Sequence, residues 1–201
     1  MALLLSGCSP QQWDPDVATV VETPDVVWED GPPAGDLEAD ESVVAARAAM
    51  IGVALAQNHH DYTISQLTDH VSPEYIVWLY ESDIDQLSNG QPEVNPGPMP
   101  SVALETTDTA RGVDVVFCGS IADWIVSESN PESSLNTEDT FELTYSMEKD
   151  DDGSLVLVDL DFYGTDCDLS TAAVGRFSPE PELPEDVPVD SVRPPIGYEA
   201  E

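Results

Sequence analysis

Imidazoles, carboxylates and thiols are the groups in this chain whose spacing could support chemistry. His59, His60, Asp61 and His70 form its densest cluster of imidazoles. Metal ligation needs imidazoles that converge, yet adjacent His59 and His60 at a helix end diverge by about 100° per residue. A histidine there also meets the negative end of the helix dipole, so no metal site is expected. Glu148, Asp150, Asp152, Gly153 and Asp159 match the opening of a calcium loop, with acids at alternate positions ahead of a glycine. The closing position holds Asp159 where a chelating Glu is needed, and strand-like runs flank the segment. Asp152-Gly153 is therefore read as a hairpin turn. Asp123 shares an alternating face with Val115, Phe117, Ile121 and Ile125, which would make it a general base if it pointed inward. An Asp near a strand end more often faces solvent, and no catalytic residue is assigned. No Ser-His-Asp order, phosphate loop or Gly-rich cradle appears, so no cofactor is expected.

The elements that position these residues divide into a helical half and a strand half. Val43 to Ala56 is Ala-rich, free of Pro and apolar almost all round, the pattern of a helix buried on most faces. It is too short to span a membrane and carries Arg47. Thr63-Ile64-Ser65-Gln66 has the form of a capping box opening a short second helix. Ser72-Pro73-Glu74 starts a third, with Ser at the cap, Pro in the first turn and an acid beside it. Its apolar side is Tyr75, Ile76, Trp78 and Leu79. Turn-rich Asn89 to Pro100 ends this half. From Ser101 onward the period becomes two, predicting strands over Val102–Thr109, Val113–Val126, Phe141–Met147 and Leu155–Tyr163. The second is apolar on both faces, which predicts a curved strand covered on both sides. Helices followed by an antiparallel meander give an α+β fold.

Charge limits the partners. The chain has 5 Lys and Arg against 41 Asp and Glu, a formal charge of −36. A field of that sign repels nucleic acid, which is excluded as a partner. Residues 8–41 contain acids and prolines but no basic residue, the composition of an extended, self-repelling tether. Trp13 and Trp28 lie within it. Residues 178–201 are similarly acidic and Pro-rich and read as a disordered tail. Between them, residues 42–177 form one domain with enough chain for a real core.

Leu5-Ser6-Gly7-Cys8 resembles the lipobox of bacterial lipoproteins, of actinobacterial type. The resemblance implies a diacylglycerol on the Cys8 thiol, cleavage just before it, and an extracytoplasmic protein anchored to the cell membrane. Residues 1–7 are then the remnant of a signal peptide. Such a peptide needs a basic n-region and roughly 7–15 apolar residues, and neither precedes Ser6. Translation is therefore expected to begin upstream of Met1, or the chain to have been trimmed. With Cys8 acylated, Cys118 and Cys167 remain as an even pair in an oxidising compartment, and a disulfide is expected between them. It would close a loop of about 50 residues, worth on the order of 3–4 kcal/mol in the chain-entropy model.

The run Leu55-Ala56-Gln57-Asn58-His59-His60-Asp61-Tyr62, followed by Ile64, Leu67 and a further helix, resembles the opening of NTF2-like domains of the SnoaL and ketosteroid-isomerase-like kind. The likeness covers roughly residues 40–175. It implies N-terminal helices packed on a strongly curved antiparallel sheet, forming a cone with a pocket between the layers. The family uses that pocket for ligand binding, for isomerase or dehydratase chemistry, or for protein contact. Here the expectation is a non-catalytic module for a small apolar ligand or a cell-envelope protein. An enzyme using an inward carboxylate and an acidic cation-binding surface protein are the alternatives.

Overall fold

The computed structural model of the protein describes residues 17–164 and 166–199. Their fold is α+β. Helix α1 (Glu41–His59) is followed by the single turn α2 (Ser65–Thr68) and by α3 (Pro73–Ser88). Asp40 caps α1, accepting from the Ser42 amide at 2.9 Å and from its hydroxyl, and these bonds hold its carboxyl below the ordinary value. His60 ends the helix in the left-handed conformation, φ 48°. Ser72 caps α3 with Pro73 in its first turn, as expected. The expected capping box before α2 does not form. Thr63 instead bonds back to the Asp61 carboxylate, and the Gln66 amide donates to the Val21 carbonyl and the Thr23 hydroxyl.

The strand half is a meander of β3 (Ser101–Asp108), β4 (Gly112–Gly119), β6 (Phe141–Lys149) and β7 (Leu155–Tyr163). They pair antiparallel in the order β3-β4-β6-β7. The sheet is open, with β3 and β7 at its edges, and is neither closed nor strongly curved, unlike the expectation. The predicted long second strand also stops early. A Cβ on Gly119 would sit 2.6 Å from Leu143 Cδ1, so the chain passes close to β6 there and then leaves the sheet. It turns at Ile121–Trp124, buries Trp124, and resumes as β5 (Val126–Ser127), which pairs with β2 (Glu93–Val94).

Both flanking segments contribute to the fold, which differs from the tether and tail expected of their composition. β1 (Asp25–Trp28) pairs with β8 (Gly175–Ser178), and the Trp28 ring lies over Gly175, which has no side chain to obstruct it. Near the other end Val192 and Arg193 are buried. Arg193 reaches Asp61 at 3.6 Å, donates to the Val17 carbonyl at 2.7 Å and bonds the Thr19 hydroxyl. An acidic, proline-rich segment can thus be ordered when a few apolar or cationic side chains anchor it. Cys8 and Trp13 lie outside the described residues. Cys118 and Cys167 form the expected disulfide, Cα to Cα 5.8 Å, tying β4 to the segment before β8.

Core packing centres on α1. Val43, Ala46, Ala49, Met50, Ala54, Leu55 and Ala56 are buried against Phe117, Leu143, Met147 and Leu157 of the sheet and against Ile64 and Leu67. At Gly52 an added Cβ would stand 2.2 Å from the Gln66 carbonyl oxygen. Gly52→Ala gains about 1 kcal/mol of helix propensity but forces backbones apart, and the net loss is expected to be about 2 kcal/mol. Urea unfolding checks this; a more stable variant would show that α1 and α2 are not so close.

Candidate functional site

Between α1, α3 and the inner face of the sheet lies an apolar cavity of about 200 Å³. Helix α1 supplies Met50, Val53, Ala54 and Gln57, and α3 supplies Tyr75, Trp78 and Leu79. The sheet contributes Leu143 and Tyr145 from β6 and Leu157, Leu160 and Phe162 from β7. Asn95, Met99, Ile121 and Ile125 complete the lining from the connections. Leu143, Tyr145 and Met147 alternate inward along β6, and a bulge beside Met147 shifts the register so that Leu157, Leu160 and Phe162 reach the same side of β7. The cavity opens past Trp78 and Phe162, which are 54% and 55% exposed, and Ile121. Trp78 stacks on Tyr75, ring centroids 5.2 Å apart.

The polar atoms of this lining differ in how they are satisfied. The Gln57 side chain accepts from the Asn95 amide at 3.0 Å, while Asn58 exchanges two bonds with the Asn95 backbone at 2.8 Å. Tyr75 and Tyr145 have no such partners. Their rings pack against Trp78 and Phe117, and neither hydroxyl has a hydrogen-bond partner among the described residues. Burial pushes both phenols well above the ordinary tyrosine range, helped at Tyr75 by the negative charges of Asp159 and Asp161 and at Tyr145 by Tyr75.

The residues singled out from sequence fall elsewhere. Asp123 is exposed at a left-handed position, φ 60°, and accepts from Asn136 at 2.9 Å, so it does not enter the cavity. The reason is the early end of β4, which removes the alternation that would have turned it inward. His60 Nδ1 lies 3.2 Å from the buried Asp83 carboxylate, His59 is exposed, and His70 joins neither. Among the described residues no group of three or more His, Cys, Asp or Glu is placed to hold a metal ion. The Asp150 carboxylate accepts from the amides of Asp152 and Ser154, capping the hairpin turn with Gly153 at φ 86°.

A wider groove of about 500 Å³ runs between residues 22–25, the end of α1 and residues 177–182. Its rim carries Glu22, Asp25, Glu180 and Glu182, all exposed, and exposed carboxylates hold a ligand weakly. No helix among the described residues is long and apolar enough to cross a membrane.

Comparison with known proteins gives no match, whether to a family model, a curated protein or a solved structure.

The site therefore rests on this geometry. Sequence reasoning placed Tyr75 and Trp78 on the apolar side of α3 but missed Tyr145, Gln57 and Asn95. The period-two pattern Leu143, Tyr145, Met147 was the available signal for Tyr145. Tyr62 is also fully buried, and its phenol is raised by burial and by the charge of Asp83. A phenol raised in the folded state favours the fold below its unfolded pKa of about 10 and loses that contribution as pH rises further. In a spectrophotometric titration at about pH 11, Tyr62, Tyr75 and Tyr145 should remain protonated while the protein is folded. Ionisation of every tyrosine before unfolding would contradict the burial described here.

Proposed function

We propose that this protein is a lipid-anchored, extracytoplasmic binding module whose NTF2-like packing of helices on a sheet holds a small apolar ligand without transforming it. The cavity between α1, α3 and the sheet carries the binding part of this reading. Ligand sites are concave and mostly apolar with a few placed polar groups, and this lining has that character. Proton transfer to a ligand needs a group that titrates near working pH. The polar groups here are amides and phenols that stay protonated. The disulfide supports an oxidising location, and the lipobox resemblance at Cys8 supports the anchor.

Ethylbenzene is a suitable neutral probe. It should bind saturably, detected by chemical-shift changes at Trp78 and Tyr145, and Val53→Phe should weaken it at least about ten-fold by occupying the space. Absence of binding by the unaltered protein would refute the reading.

The anchor is tested separately by expressing the full reading frame in a bacterial host with a lipoprotein pathway. The protein should partition with membranes, and Cys8→Ala should release it. Retention of that variant on the membrane would place the attachment elsewhere.

A further inference from the structure

Tyr75 and Tyr145 are the polar groups in the cavity wall that the protein leaves unserved. Each residue is more than nine-tenths buried, at 8% and 5% exposure, yet neither hydroxyl finds a partner among the described residues. Their hydroxyl oxygens are not among the sealed, unsatisfied polar atoms of the described residues, so they keep access to the cavity and can serve a molecule that enters it. The amides of Gln57 and Asn95 in the same wall are bonded to one another, so a ligand gains little by approaching them. The two phenols come from different layers, one from α3 and one from β6, and meet the same cavity.

We infer that the ligand is a neutral molecule with an apolar body and one acceptor oxygen, carbonyl or ether in type, which receives hydrogen bonds from the Tyr75 and Tyr145 hydroxyls. This deepens the binding reading above and rests on it. An acceptor is the partner that uses both hydroxyls together, because each phenol has one O–H to donate and burial keeps both phenols protonated at neutral pH. Neutrality follows because the lining contains no Lys, Arg or His to meet an anion, and burying an unpaired charge is costly. The charges of Asp159 and Asp161 already act on Tyr75 and oppose a second negative charge. Trp78 and Phe162, exposed at the mouth, offer faces along which the apolar body enters.

Ethylbenzene and acetophenone differ in this acceptor and make matched probes, with benzoate as the anion. Their dissociation constants are measured by ligand titration on the unaltered protein and on Tyr75→Phe, Tyr145→Phe and the double variant. In the double variant acetophenone should weaken at least about ten-fold, as expected for two lost hydrogen bonds. Ethylbenzene should change less than about two-fold, because the apolar contacts survive. That unchanged affinity also shows that the variants are folded. If acetophenone loses no more than ethylbenzene, the acceptor inference is overturned while the cavity remains a binding site. If benzoate binds more tightly than acetophenone, the inference of a neutral ligand is overturned. Failure of ethylbenzene itself on the unaltered protein removes the binding reading and this inference together.

Discussion

Helix α1 packs against every strand of the four-stranded sheet, and it can do so because the residues it buries are small. Alanines at 46, 49, 54 and 56 and glycine at 52 let the helix lie close to α2 while Met50 and Leu55 fill the wider gaps. The helix contacts β2, β3, β4, β6 and β7 as well as α2 and the short helix at Asp36–Ala39. Close approach on one side leaves α3 to close the other, and the cavity is the space between them. Larger residues along α1 would lift it from the sheet; smaller ones at Met50 or Leu55 would leave voids that destabilise the core. The site is therefore a consequence of how this helix is packed.

Electrostatics plays a different part. With so few cations among 41 acids, each arginine joins segments distant in sequence. Arg47 holds Glu38 in two bonds of 2.6 and 2.7 Å, bringing the chain before α1 onto the helix, and its guanidinium lies over Phe117. Arg176 joins β8 to Glu29 and Ser133 while lying over Trp124. Arg193 fastens the C-terminal segment to Asp61 and to the backbone at Val17. Arg111, in the β3–β4 turn, pairs with Glu148 on β6. The excess acid stays in water, where it favours solubility, and among the described residues the cavity lining carries no charged side chain.

The class of the fold was legible because it depends on local pattern. The buried helix, the Ser72-Pro73 start of α3, the meander and the Asp152-Gly153 hairpin follow from period, caps and turn chemistry. What failed to show was decided at a distance. β4 ends at Gly119, after which the chain turns at Ile121–Trp124 and buries Trp124, and no count along the strand reveals that. The segments before Asp40 and after Ser178 have the composition of disorder, yet single residues such as Trp28, Val192 and Arg193 secure them. Composition averages over a segment, and these anchors are exceptions within it. For the candidate site, Tyr75 and Trp78 were visible as one face of a helix, whereas Tyr145 came into view only when β6 was laid beneath it.

The central claim is that space remains between α1, α3 and the sheet after the core has packed. Crystals of the protein under xenon pressure test it directly, since apolar cavities take up xenon while filled cores do not. Xenon density bounded by Met50, Leu143, Tyr145 and Leu157 is the result expected from this account. Side chains of α1 and β6 closed against each other there, with no xenon between them, would contradict it.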